Sequence, residues 1–370
     1  MKIAIEAQRI FRINKHGMDF VILEALKQLQ KLDTFNEYFV FVSGGDDKCL
    51  SSTKNMHIIE LKCTSYPLWE QIVLPRAVKK VKADILHCTS NTAPLFCGIP
   101  LILTLHDIIF LEKRQNASKS LYQNLGWYYR KFIVPRILPK CKKIITVSKF
   151  ECERIRTELG LDPNKIIAIY NGYNSHFKPI KDYYEITKQY LPEKEYLFFL
   201  GNTDPKKNTL RTLVAYSIYL KQSSVKLPLL IADLREDIVD AILKEAAIEN
   251  IKPYLRFGGY IKNTSLPYIY SGAKAFIYTS LRESFGIPIL EGMACGTPVI
   301  TSNISAMPEI AGERAILTDP FNSNSIALEI IRLEQDKEFY TKQVRYGLER
   351  VKFFSWESTA KQMLELYKQQ

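Results

Sequence analysis

The chain has 370 residues, 46% hydrophobic and 24% charged, an ordinary globular balance that excludes a disordered chain, a fibre and a disulfide-stapled miniature. That length predicts two domains, each large enough for its own core. Lys and Arg outnumber Asp and Glu by 51 to 39, a net charge of +12 that points to an anionic partner. The seven cysteines form no C-x-x-C pair, which argues against a disulfide framework or zinc ribbon and for a reducing compartment.

The opening MKIAIEAQRI is broken by Glu6 and Arg9, too early for a signal-peptide core. The longest apolar stretch elsewhere, 99–111, carries His106 and Asp107 and is far shorter than a membrane span. A soluble, cytoplasmic protein is expected, one able to sit on the inner face of the plasma membrane.

Short β-branched runs alternate with longer amphipathic ones. Strands are predicted at 1–7, 38–43, 58–61, 85–87, 101–106 and 143–147, with helical patterns such as 20–32 and 66–81 between them. A second series follows at 196–200, 228–232, 255–257, 275–278 and 298–301, separated by helices such as 209–222 and 238–247. Strands buried on both faces and joined by helices imply parallel sheets, so the fold class is α/β twice over. The expected division is a first domain at 1–176, a polar linker with Pro179 and Pro192 at 177–194, a second domain at 195–352 and a terminal helix at 353–370. That helix carries Trp356, Ala360, Met363, Leu364 and Tyr367 on one face, which packs on its own domain or back against the first.

In the first half, ILTLHDIIFLE places His106 and Asp107 at the carboxyl end of an apolar strand, where α/β proteins put ligand-contacting groups. A lone histidine there is more often structural. Among the five histidines no metal-ligand spacing occurs, and H-E-x-x-H and G-x-S-x-G are absent, so metal and serine-nucleophile chemistry are disfavoured. From Lys113 to Lys149 there are ten basic residues and no acidic one, interleaved with Trp127, Tyr128, Tyr129 and Phe132. This pattern suits an anionic membrane surface. No nucleic-acid motif accompanies it, and a solvated face over buried aromatics is the plain alternative.

In the second half, FFLGNTDPKKNTL reads as strand, loop and helix, with Asn208 or Thr209 as N-cap. Lys206 and Lys207 sit just before that helix, where the dipole repels cations, so a bound anion would offset the repulsion. The stretch SLRESFGIPILEGMACGTPVITS reads as strand end, loop, short helix, turn and strand. Gly286 permits close approach to the backbone, Pro288 suits a first helical turn, and the free N–H groups form an anion site. Glu283 and Glu291 flank it, eight residues apart, as acceptors for sugar hydroxyls; the plain alternative is two acids favoured by a helix N-terminus. No Walker A sequence or G-x-G-x-x-G is present.

Together these segments resemble retaining glycosyltransferases of family 4, which have the GT-B fold. The E-x7-E motif is Glu283–Glu291, followed by GMACGTPVITSN, and GNTDPKKN is similar to the family's glycine-to-basic-pair-Asn loop. VSKFE, IYNGYNSHFKP, RFGGYI and LPYIYSGAKAFIYTSLRESFG stand in the family's order; EQIVLP and TLHD resemble a mannosyltransferase-like branch, and SWESTAKQMLELY its closing helix. The resemblance implies two Rossmann-like, doubly wound domains facing a central cleft, with the C-terminal helix crossing back to the first.

It also implies residue roles. Lys207 contacts the donor diphosphate, assisted by Lys206. Glu291 accepts from the ribose, and Glu283, with the backbone of Phe285, Gly286 and Ile287, holds the donor sugar and phosphate. Tyr260 and Ile261 lie where the base is held, Gly17 corresponds to a glycine near the phosphate or acceptor, and His106 reaches the sugar. Asn202 stands where many relatives have arginine, Ser284 where glycine is frequent, and the first loop has one glycine, Gly17, where several have two.

The function implied is hexosyl transfer with retention, from GDP-mannose or a UDP-sugar to a glycan or lipid-linked acceptor in cell-surface polysaccharide assembly. No metal or cofactor is expected. A nucleotide-sugar epimerase or phosphorylase, and a non-enzymatic bilobed sugar-binding protein, are the rival readings.

Overall fold

The computed structural model describes residues 1–111 and 121–369. It divides into two compact units, one formed by Met1–Gly172 together with the chain from Trp356 onward, the other by Tyr173–Ser355.

The first unit is built on seven parallel strands: β1 (Lys2–Glu6), β2 (Glu37–Val42), β3 (Met56–Glu60), β4 (Ile85–Cys88), β5 (Leu101–Thr104), β6 (Cys141–Thr146) and β7 (Ile166–Ala168), in the order β3-β2-β1-β4-β5-β6-β7. Period-2 alternation divides the side chains between two cores. Ile3, Ile5, Tyr38 and Val40 join one with Leu26 and Leu29 of the helix Gly17–Leu32; Ala4, Phe39 and Phe41 join the other with Trp69, Leu103 and Ile133. Strands buried on both faces need no polar side, which is why the sequence shows them as unbroken apolar runs.

The second unit has six parallel strands: β8 (Tyr196–Leu200), β9 (Leu229–Ala232), β10 (Leu255–Gly259), β11 (Ala273–Tyr278), β12 (Val299–Ser302) and β13 (Ile316–Thr318), ordered β10-β9-β8-β11-β12-β13. Leu197, Phe199, Ala275 and Ile277 face one core with Leu213 and Tyr216 of the helix Thr209–Gln222. On the other side Phe198, Tyr270 and Phe276 pack at ring separations of 5.0 to 5.4 Å, Phe198 stacked on Phe276 and Tyr270 edge-on to both. Burying such a side chain contributes about 1.5–3 kcal/mol, so this trio alone rivals a large part of a domain's net stability.

Three features differ from the sequence expectation. The edge strands β7 and β13 have three residues each, too short to show a period. The helix expected over 66–81 is interrupted: Trp69–Val73 is π-helical, flanked by Tyr66–Leu68 and Leu74–Val81. Residues 177–194, expected as a linker, lie within the second unit, with Phe177 and Leu191 buried and Tyr183 against Gly272.

The terminal helix, Trp356–Lys368, belongs to the first unit. Trp356, Ala360, Met363 and Tyr367 are buried, as its spacing predicts, and Ala360, Met363 and Tyr367 join the core under helix Gly17–Leu32. Tyr367 ends on a polar anchor: its hydroxyl lies 2.7 Å from His87 Nδ1, whose Nε2 lies 2.8 Å from Thr104 Oγ1. Desolvation pushes the His87 pKa down to about 3. Among the described residues, no helix is long and apolar enough to cross a membrane.

Candidate functional site

In each sheet the strand order reverses once, between β1 and β4 and between β8 and β11. Loops leaving the carboxyl ends of such neighbours diverge to opposite faces and open a crevice, the usual ligand position in an open α/β sheet. The lysine loop leaves β8 and the E-x7-E segment leaves β11, so topology alone makes them neighbours.

After β8 the chain passes through Gly201 to a 3-10 turn, Pro205–Lys207, capped by Asp204, whose carboxylate accepts from the Lys206 N–H. Lys206 and Lys207 then diverge. The Lys206 ammonium pairs with Asp204 at 3.4 Å on the surface. Lys207 donates to Glu283 Oε1 at 2.6 Å and to the Tyr278 hydroxyl at 3.3 Å, its charge lying 5.2 Å from the Tyr278 ring centre. A backbone bond from Leu281 N–H to the Lys206 carbonyl, 2.6 Å, joins the two loops directly.

Glu283 is itself fixed. Its N–H donates to Ser305 Oγ at 3.1 Å, and that hydroxyl donates to the Glu283 carbonyl at 2.7 Å. Gly286 follows at φ +96°, a left-handed conformation that suits glycine, and a Cβ there would press on Ile289 at 3.1 Å. It opens the helix Ile287–Ala294, with Pro288 in its first turn. Phe285 turns inward onto Phe354, rings 6.0 Å apart and edge to face.

Glu291 lies one helical turn further on, half-buried, and accepts from the Tyr270 hydroxyl at 3.3 Å. Desolvation pushes its pKa up to about 7, and the single hydrogen bond only partly opposes this. The second unit therefore brings together a cation, two carboxylates and the N-terminus of a helix. Tyr260 and Ile261 follow β10, two strands from β8; Tyr260 is 80% exposed and Ile261 is buried against Gly258.

The corresponding edge of the first unit has its own polar groups. Glu6, at the end of β1, is buried and accepts from the N–H groups of Gln8 at 2.9 Å and Thr89 at 3.1 Å. Gly17 begins the helix after β1, with open space where a Cβ would lie, and His16 and Asp19 form a capping box around it. His106 is buried: Asn91 Oδ1 accepts from its N–H at 2.6 Å, and its Nε2 donates to the Thr89 carbonyl at 3.0 Å. Desolvation lowers its pKa, so the ring is neutral, with Nδ1 as the acceptor nitrogen.

The aromatics of the basic segment separate by role. Residues 113–120 of that segment lie outside the described residues. In the helix Leu121–Ile137, Ile133, Val134 and Ile137 face inward, whereas Leu125, Tyr128 and Phe132 form an exposed ridge at i, i+3 and i+7. The Arg136 guanidinium lies 3.8 Å from the Phe132 ring centre, and Lys140 lies 4.3 Å from that of the exposed Phe96. Tyr129 points the other way and donates to Glu70, a buried carboxylate in the π-helical turn that also accepts from Tyr66 at 2.8 Å and Thr92 at 2.5 Å. Burial pushes the Glu70 pKa up against these bonds.

Several residues that build the site escaped the sequence reading. Tyr278 and Ser305 look like core and turn residues, and only their strand ends reveal them. Asn208 occupies the predicted N-cap position, yet its side chain does not cap its own helix.

Residues 16–177 match the family described as Glycosyltransferase Family 4, and residues 185–350 match Glycosyl transferases group 1. The chain is 30% identical over 273 residues to the O-antigen chain mannosyltransferase B of Escherichia coli, covering 72% of this chain and 70% of that protein. It is 25% identical over 288 residues to the O-antigen chain mannosyltransferase RfbU of Salmonella typhimurium, covering 77% and 74%. In fold it is similar to sucrose-phosphate synthase from Thermosynechococcus elongatus, with a TM-score of 0.75 at 20% identity over 100% of this chain and 98% of that one. With both halves matched, two doubly wound sheets, and the lysine loop set against the E-x7-E segment at a strand-order switch, this chain belongs to glycosyltransferase family 4 and has the GT-B fold.

Proposed function

We propose that this glycosyltransferase moves a mannosyl residue from GDP-mannose to a growing or lipid-linked glycan, with retention of configuration and without a metal. The observation that carries the donor side is the Lys207–Glu283 pair beside the Gly286 helix start. A diphosphate entering there competes with Glu283 for the lysine, and the released carboxylate becomes free to accept from a sugar hydroxyl. The relatives' names, both O-antigen chain mannosyltransferases, support mannose and a polysaccharide acceptor.

The mechanism follows from charge. As the glycosidic bond breaks, the leaving diphosphate gains negative charge and the sugar becomes oxocarbenium-like. Lys207 and the helix N-terminus that follows Gly286 are already set toward that charge, so little reorganisation is needed during the reaction. Glu283 and Glu291 take sugar and ribose hydroxyls, and Lys206 adds positive charge at the rim. The backbone of Phe285 and Ile287 lines the phosphate, and Tyr260 and Ile261 take the base. Within the first unit taken by itself, neutral His106 has Nδ1 as an acceptor for a hydroxyl, and Gly17 leaves open space at its helix start. The departing phosphate accepts the acceptor's proton on the face it leaves, which preserves configuration.

The exposed ridge of helix Leu121–Ile137 supports a second element of the reading, peripheral attachment to the anionic inner face of the plasma membrane. An apolar ridge flanked by Lys131, Arg136 and Lys140 fits the headgroup boundary, where apolar groups enter and cations stay wet. A lipid-linked acceptor would be met there.

A thermal-shift series with GDP, UDP, ADP and dTDP, alone and with their sugars, tests the donor. Stabilisation grows with concentration over Kd, so GDP and GDP-mannose give the largest shifts. A larger response to UDP would reassign the base, and no response to any of the four would remove the donor site. Formation of a new glycoside, rather than free epimerised sugar or sugar phosphate, excludes the rival enzymes.

A further inference from the structure

We propose that Asn208 is a positioning residue for glycosyl transfer, its carboxamide holding the Lys207 turn against the Glu283 loop. The inference rests on the assignment of Lys207 to the donor diphosphate. Asn208 is buried and adopts a left-handed conformation, φ +59°, directly after the lysine. Asparagine tolerates that region better than most residues, which is the plain reason to find it there.

Its side chain does more than tolerate the turn. The Nδ2 group donates to the carbonyl of Thr279 at 3.0 Å and to that of Pro320 at 2.7 Å. Thr279 immediately follows β11, four residues before Glu283, and Pro320 follows β13. One carboxamide therefore ties the loop after β8 to the loops after β11 and β13. Both amide protons are spent on buried carbonyls of other loops. Thr212 completes the tie: its hydroxyl lies 2.8 Å from Thr279 Oγ1 and 3.0 Å from the Asn208 carbonyl.

The consequence is directional. The tie fixes the backbone of the turn that carries Lys207, so the side chain starts from one place on the Glu283 side of the crevice. Electrostatic stabilisation of a leaving group depends on placement to within a fraction of an ångström. Asn208 acts through Lys207 and touches no reacting atom.

Two variants separate the carboxamide from the backbone conformation. Asn208→Gly keeps the left-handed turn and removes the amide; Asn208→Asp keeps size and turn tolerance and replaces the NH2 group, with both its N–H donors, by one carboxylate oxygen. Nucleoside diphosphate release from GDP-mannose and from UDP-glucose, with water taking the hexosyl group, is measured on the full chain, with Tm recorded for each protein. Both variants are expected to lower kcat by about a hundredfold with a smaller change in donor KM. The double variant Lys207→Ala/Asn208→Gly should match Lys207→Ala alone, because the second change acts only through the first. If Asn208→Gly fails to fold, Asn208→Asp and its double with Lys207→Ala carry the test. A kcat near wild type in the folded variants, or losses that multiply in the double, overturns the role of Asn208. Absence of turnover by wild type with either donor overturns the donor assignment beneath it.

Discussion

Lys207 Nζ lies 2.6 Å from Glu283 Oε1, although 76 residues separate them in sequence. Both side chains are largely shielded from solvent, which strengthens their attraction and raises the cost of removing one partner. The pair occupies the place proposed for the donor diphosphate, so its lysine is the group whose loss should matter most in the transition state.

Replacing Lys207 with alanine is expected to lower kcat by a factor of about 100 to 1,000, the range seen when one oxyanion-hole donor is removed. Donor affinity should change less, because the substrate diphosphate keeps its backbone donors. Steady-state kinetics at varied donor concentration measures both quantities. Activity within tenfold of wild type would refute the role.

Glu291 gives a pH signature. Its pKa is about 7 in the folded chain against the ordinary 4.5 of an exposed glutamate. The folded state thus retains a proton that the unfolded chain has lost, and stability falls as pH rises from about 4.5 to 7, then levels off. A shift of this size corresponds to at most about 3 kcal/mol, and less for a half-buried group. Glu291→Gln should remove this component, so its urea stability gains on wild type between pH 5 and pH 7.5. Parallel curves would show that the carboxyl titrates normally.

The ridge on helix Leu121–Ile137 predicts vesicle binding. Basic residues close to an anionic bilayer contribute about 1 kcal/mol each, so replacing Lys131, Arg136 and Lys140 with serine should weaken binding by about two orders of magnitude. Changing Leu125, Tyr128 and Phe132 to serine should abolish the salt-resistant part. Co-sedimentation with phosphatidylglycerol-containing vesicles measures both, and unchanged binding in both variants would remove the membrane proposal.

Tyr367→Phe tests the anchor of the terminal helix. The change leaves one ring nitrogen of buried His87 unpaired, at an expected cost of about 1–3 kcal/mol in urea-measured stability. A variant as stable as wild type would mean that the hydroxyl is not needed to hold the helix.

Much of this protein is written locally. Apolar runs such as Leu101–Thr104 and Tyr196–Leu200 announce buried parallel strands because both their faces are covered, and Pro288 after Gly286 marks a helix start through the missing N–H and the permitted φ. The terminal helix shows its buried face through spacing alone. The π-helical turn at Trp69–Val73 is only half announced: Pro75, with no N–H to donate to the Gln71 carbonyl, marks a break in the helix but not its form, nor that Glu70 there accepts from Tyr66, Thr92 and Tyr129. The exposed ridge and the inward Tyr129 share one stretch of aromatic residues, and composition could not say which ring faces water.

The residue sequence by itself determined the α/β class, the strand positions and the two motifs that identify the family, since each is a matter of local period, turn chemistry or short spacing. Only the tertiary structure decided that Lys207, and not Lys206, meets Glu283, that Asn208 binds carbonyls of two other loops, and that burial carries Glu291 to about 7. These depend on which loops the strand order brings to one crevice and on how much water is excluded there, and neither quantity is a property of any short segment.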